Sequence, residues 1–152
     1  MSKISKIINS GETGVERGAL DIALKHSYLV GGWTDNPHLV KKYPGMSESI
    51  TDKPNQYIEF NVMNADAVIV ITIPGIYSPN TEESKILAFR YKKPIFRIQK
   101  AEDVANCGKW IESLDEDLVF YVTGPNEKEY INGYKLSSEV LNYLFTFFKY
   151  DW

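Results

Sequence analysis

The strongest constraint on this chain is local. A short apolar, β-branched run, Ile4 to Asn9, passes through Ser10-Gly11-Glu12-Thr13-Gly14 straight into a stretch of helical periodicity, Val15 to His26. A strand that turns at once into a helix is not half of a hairpin. The helix carries the chain over a sheet face and delivers it to a parallel strand. Ala19, Leu20, Ala23 and Leu24 give that helix an apolar side, and Thr13 with Glu16 three residues later predicts a reciprocal capping box at its start.

The same alternation continues downstream. Tyr28 to Val30, Ala67 to Ile73, Pro94 to Ile98 and Leu118 to Val122 read as further strands. Ala67 to Ile73 is apolar and β-branched almost throughout, which suits a central strand covered on both faces. Between the strands, helical spacing recurs in Ile58, Val62 and Ala65, and in Ser84, Leu87, Ala88 and Tyr91 with Asn80 or Thr81 as cap. It recurs again in Val104, Cys107, Ile111 and Leu114, with Gly108 as a weak point. The expected fold class is α/β: a Rossmann-like three-layer sandwich around a mostly parallel five-stranded sheet, order 2-1-3-4-5. A polar segment from residue 34 to about Pro54 is too long for a simple connector and is placed over the pocket as a covering loop. The last helix, Tyr134 to Tyr150, carries Val140, Leu144, Phe147 and Phe148 on one side, widened by Leu141, Phe145 and Trp152. That breadth predicts packing on the sheet and against a second copy in a homo-oligomer.

With 152 residues, 43% of them hydrophobic and 24% charged, the chain has the composition and size of one globular domain, taken as residues 1–152. Its longest apolar stretch is too short to span a bilayer, and the first residues lack the apolar run of a signal peptide, so membrane partners are not expected and a cytoplasmic location is. A net charge of −3 with scattered lysines argues against nucleic acid. The single cysteine, Cys107, has no disulfide partner and reads as a small buried hydrophobe. His26 and His38 have neither metal-ligand spacing nor a nucleophile partner, so no catalytic and no metal residue is assigned.

In an open parallel sheet, ligands gather outside the carboxyl ends of the strands, where connections leave to opposite faces. For order 2-1-3-4-5 that point lies between strands one and three. There the turn after the first strand offers Gly11 and Gly14 for close backbone approach, Thr13 as a hydroxyl, and the positive end of the helix dipole, a combination suited to a phosphate. Glycines in so tight a turn also serve conformation alone. Arg17, one turn on, reads as a phosphate fork or a solvated surface residue. Trp33 after Gly31-Gly32 reads as a ring that stacks on a base or pterin, or as a plug over the sheet edge.

Taken together, the run from Asn9 to Asp21 resembles the opening motif of the putative molybdenum carrier proteins, within the larger SLOG superfamily of Rossmann-like proteins. Gly31-Gly32-Trp33, Tyr43-Pro44, Asn61-Val62 with Asp66-Ala67, Lys93-Pro94 and Gly124-Pro125 follow in that family's order, so the resemblance spans nearly the whole chain. It implies a ligand pocket, commonly in a homo-oligomer, with a molybdenum cofactor or a nucleotide as candidate ligand. The chain departs from the family where a ligand would sit. Ser10-Gly11-Glu12 replaces Gly-Gly-Gln, Tyr57-Ile58 replaces Arg-Thr, Pro79-Asn80 replaces a glycine pair before Thr81, and Gly124-Pro125-Asn126 replaces Gly-Pro-Arg. A carboxylate at Glu12 repels a phosphate and suits a ribose hydroxyl instead.

The expected ligand is thus a phosphorylated nucleotide- or pterin-like small molecule. Its contacts are expected from Ser10, Gly11, Glu12, Thr13, Gly14 and Arg17 at the first turn. Gly32, Trp33, Tyr57, Asn80, Thr81, Ser84, Gly124 and Asn126 surround them. A binding or carrier protein is the first reading. A nucleotide phosphoribohydrolase-type enzyme is an alternative, although Ser84 stands where that wider group places a glutamate. A sequestering protein for a nucleotide-derived signal would use the same pocket.

Overall fold

The computed structural model describes residues 3–49 and 53–149. The class is as expected: an α/β fold whose parallel sheet is covered by helices on both sides. The elements run β1 (Ile4–Ile8), α1 (Val15–Lys25), β2 (Leu29–Thr34), α2 (Pro37–Lys42), β3 (Met46–Glu48) and α3 (Gln56–Asn64). They continue with β4 (Ala67–Ile71), α4 (Pro79–Arg90), β5 (Ile95–Ile98), α5 (Ala101–Glu112), β6 (Leu118–Thr123) and α6 (Gly133–Lys149).

Two expectations about the sheet are corrected. It has six strands, and their order is β3-β2-β1-β6-β4-β5, with every pairing parallel. The last strand inserts between β1 and β4, pairing Ile7 with Phe120 on one side and Ile69 with Val122 on the other. The physical reason is handedness. Steps toward the β3 edge (α1, α2, α5) are carried on one face, where Leu20, Leu39 and Ile111 join one apolar cluster. Steps toward the β5 edge (α3, α4) are carried on the other, where Ile58, Val62 and Leu87 join a second cluster. A single crossover hand demands this division. The extra strand, β3, pairs Met46 with Gly32 and Glu48 with Thr34.

The core follows from that layering. All five residues of β4 are buried, as expected of a central strand, and each fully buried Val or Ile contributes about 1.5–3 kcal/mol. On the α1 side, Leu141, Leu144, Phe145 and Phe148 of α6 pack into the larger cluster with Phe120 and Ile7. Phe147 and Tyr143 of the same helix stay exposed. Tyr150 and Trp152 lie outside the described residues.

The segment from residue 34 is not a plain loop. Asn36 caps α2 by accepting from the His38 amide at 3.0 Å, Pro37 takes the first helical position, and β3 follows. Helix α4 starts earlier than expected, with Ser78 at its N-cap and Pro79 in its first turn, in place of Asn80 or Thr81. Helix α5 runs unbroken through Gly108. Among the described residues no helix is long and apolar enough to cross a membrane.

Candidate functional site

The carboxyl ends of β1 and β6 meet around one buried carboxylate. Glu16, in the first turn of α1, is 5% exposed. Its Oε1 accepts from the Ser10 amide at 3.1 Å, the Glu12 amide at 3.3 Å and the Ser10 hydroxyl. Its Oε2 accepts from Thr123 Oγ1 at 2.7 Å and Tyr121 Oη at 3.3 Å. Burial pushes the carboxyl up to about 7, against the pull of the Ser10 and Thr123 hydrogen bonds. Tyr121 passes the network on to Ser84 Oγ at 3.0 Å, which also donates to the Asn80 carbonyl.

This arrangement replaces the capping box. Gly14, at φ +95°, is the N-cap, no side chain caps the helix there, and Glu16 folds back beneath the turn instead of pairing with Thr13. It also settles what most of the turn's backbone donors do. The Gly11 amide donates to Asn9 Oδ1 at 2.8 Å, the Val15 amide to the Pro125 carbonyl at 3.2 Å, and the Ser10 and Glu12 amides to Glu16. An internal carboxylate thus fills the underside of the turn, where a nest of N–H groups would otherwise hold an anion.

The outer side of the turn is different. Thr13, Gly14 and Arg17 line a hollow of about 360 Å³ with Lys42 of α2 and Tyr134 of α6. Arg17 Nε donates to the Gly11 carbonyl at 2.8 Å, which orients the guanidinium along the turn. Asp21, also in the wall, accepts from Tyr43 Oη and Tyr134 Oη at 2.5 Å each, tying α2 and α6 to α1. Glu12, just before Thr13, does not itself line this hollow. Its carboxyl is raised by partial burial and by Asp35 and Glu129, while an Asn126 hydrogen bond and Arg17 work in the opposite direction.

The circularly permutated YpsA SLOG family matches residues 7–145 of the chain. The chain belongs to this family. A solved structure similar to it, at 26% sequence identity and a TM-score of 0.81, covers 94% of this chain and 96% of its own. It is a putative molybdenum carrier protein from Syntrophus aciditrophicus SB. No curated protein matches the chain significantly.

Within this SLOG fold the residues singled out from sequence divide into two groups. Thr13, Gly14 and Arg17 come together at the outer side of the first turn, while Glu12 is hydrogen-bonded to Asn126 and lies near Tyr57, which in turn bonds the Asn80 side chain. Gly11 faces inward, since a Cβ there would lie 2.9 Å from Leu39 Cδ1. Gly32 carries β2 against β1, where a Cβ would meet the Asn9 carbonyl at 2.2 Å, and Gly124 abuts the Ile71 carbonyl and Val15 in the same way. Trp33 packs in a tilted arrangement against Phe60, ring centroids 5.0 Å apart, and its backbone N and O are both held by Asn61, at 2.8 and 3.0 Å. Tyr57 and Ser84 are buried, Tyr57 with Ile58 and Leu87. Thr81 faces a separate hollow at the end of β4, and Asn80 a groove between α3 and α4.

The sequence reading missed Asn9, Glu16, Thr123 and Lys42. Asn9 and Thr123 are polar residues at the ends of otherwise apolar strands, a signal that was present. The spacing of Glu16 from Thr13 points only to a cap, and Lys42 reaches the site through α2, a helix that the polarity of its segment conceals.

Proposed function

We propose that this SLOG protein binds a phosphorylated, nucleotide- or pterin-like small molecule, with the phosphate in the hollow at the start of α1. The observation that carries this reading is that hollow itself. About 360 Å³ open beside Thr13 and Gly14, with the cations Arg17 and Lys42 in the walls alongside the carboxylates Asp21 and Glu127, the first of which is occupied by two tyrosine hydroxyls. A phosphate monoester there gains a hydroxyl, two positive groups and the favourable end of the α1 dipole.

The half-buried carboxyl of Glu12, next to Thr13 in the turn, suits the opposite kind of group, one that donates hydrogen bonds. A ribose diol fits this description, and so does the amino-bearing edge of a pterin. The similarity to a protein named as a molybdenum carrier supports the pterin arm. In that arm the chain would hold the organic part: Arg17 and Lys42 the phosphate, Glu12 and Asn126 the ring edge.

The test is mass spectrometry of small molecules released from protein purified out of its native cell, followed by thermal-shift titration with the mononucleotides and pterin phosphate so identified. Bound ligand raises the melting temperature, and Lys42→Glu removes most of the rise. An undiminished rise in that variant rejects the hollow as the phosphate site. Release of free base from a nucleotide would place the chain with the phosphoribohydrolase-type enzymes.

A further inference from the structure

A second cleft lies on the same edge of the sheet, outside the reading above. Between α5 and α6, against the ends of β4 and β5, a groove of about 440 Å³ is lined by Val104, Ala105, Leu136, Val140 and Tyr143. Beside it a polar hollow of about 140 Å³ is lined by Ser78, Thr81, Lys85 and Arg97. Thr72 and Gln99 line both, so the two spaces form one cleft with segregated chemistry.

Three features of the polar end point to an anion. It abuts the first turn of the twelve-residue helix α4, where Ser78 spends its hydroxyl on Thr81 at 2.8 Å and not on a helix amide. Lys85 is paired with Glu82 at 2.9 Å, but Arg97 makes no ion pair among the described residues. At the junction, Thr72 Oγ1 is buried with no hydrogen-bond partner among the described residues. A buried hydroxyl without a partner costs stability unless something at the site satisfies it.

We propose that this cleft is a second ligand site, for an amphiphilic anion whose aromatic or acyl body lies between α5 and α6 and whose phosphate or carboxylate head meets Arg97, Thr72 and the start of α4. Apolar walls with a few convergent polar groups are the usual form of a small-molecule site. Pro125 lines this cleft, whereas Glu127 lines the hollow at α1, so the two sites sit on either side of the β6–α6 connection.

The test is calorimetric titration of the full chain with 1-naphthyl phosphate, 1-naphthoate and 1-naphthol. At least one anion binds saturably at one site, and the tighter of the two identifies the head group. Ala105→Trp, at an exposed helical position, fills the groove and abolishes binding while leaving the melting temperature near that of the wild type. Arg97→Gln weakens the anions about tenfold and changes 1-naphthol by less than about twofold. The proposal is overturned by the absence of saturable binding for both anions, or by unchanged binding in Ala105→Trp. Loss of 1-naphthyl phosphate binding in Lys42→Glu overturns it too, because the probe would then occupy the hollow at α1. Intact binding in Lys42→Glu keeps this cleft separate from the fate of the first site.

Discussion

Thr123, the last residue of β6, donates its hydroxyl to Glu16 Oε2 at 2.7 Å and so fastens the last strand of the chain to its first helix. The pair spans 107 residues. It closes the sheet centre beneath the first turn, and through Ser10 and Glu12 it sets the shape of that turn from below. The candidate site therefore rests on a carboxylate that ligand never needs to touch.

Glu16 makes stability depend on pH. Its folded-state value, about 7, lies above the ordinary 4.5, so the folded protein holds this proton more tightly than the unfolded chain does. The associated stability is fully present below about pH 4.5 and is lost as the pH rises through about 7, a change of order ~3 kcal/mol. Glu12, raised chiefly by burial, adds a slope of the same sign. Glu59 is held down, to about 2, by hydrogen bonds from Tyr91, Gln56 and Lys53, and acts oppositely but only at lower pH. Wild-type melting temperature should fall between pH 5 and pH 8, and should fall clearly less in Glu16→Gln. Equal falls in the two proteins would remove Glu16 as the cause.

Two glycines with the same sign of φ separate strain from collision. A Cβ at Gly14, φ +95°, would lie 2.7 Å from the Pro125 carbonyl oxygen, whereas one at Gly75, φ +82°, would meet nothing within 4 Å. Gly75→Ala should cost only the conformational penalty, roughly 1–2 kcal/mol. Gly14→Ala adds displacement of the β6–α6 connection and should cost more than ~3 kcal/mol by denaturant unfolding. Similar losses at the two positions would show that the connection yields freely.

How much of this was legible in the sequence depended on range. The alternation of strands and helices is a local pattern, and the class and most element positions followed from it. The place of β6 between β1 and β4 is a property of the whole chain, decided by which face each crossover uses, and no window of residues displays it. Met46 to Glu48 is a three-residue strand among polar residues, held by its partner Gly32 to Thr34 more than by its own preference. Asn36-Pro37 was a readable helix start hidden by the polarity of the helix behind it. At the site, the Thr13/Glu16 spacing points to a capping box that does not form, because Gly14, at positive φ, takes the N-cap position and Glu16 turns inward.

Asn61 should behave as a backbone clamp. It is fully buried, and its side-chain amide both accepts from and donates to the Trp33 main chain. Asn61→Leu keeps the volume but leaves the Trp33 N–H and carbonyl without these partners, a loss of about 2–4 kcal/mol in chemical denaturation. Asn64→Ala, which removes an exposed contact to the Phe60 carbonyl, serves as control and should stay within ~0.5 kcal/mol. A mild effect at Asn61 would mean that pairing with β1 and β3 holds β2 in place without it.

Asp21 sets the walls of the first hollow, and its phenol partners report on it. Tyr134 is pushed up to about 12, first by its hydrogen bond to Asp21 and then by burial, and Tyr43 is raised as well, by burial and the same carboxylate. Because both folded-state values lie above the ordinary 10, the stability these phenols add is complete below about pH 10 and is lost as the pH climbs through the folded-state values. In Asp21→Asn, ultraviolet titration should show phenolate appearing at lower pH, and unfolding in base should begin earlier. At neutral pH the variant should lose roughly 1–3 kcal/mol, because two charge-assisted bonds become neutral ones. It should also weaken ligand binding at the first site, since α2, which carries Lys42, and α6, which carries Tyr134, are no longer drawn toward α1. An Asp21→Asn protein with unchanged tyrosine titration would show that solvent, and not this carboxylate, governs the two phenols.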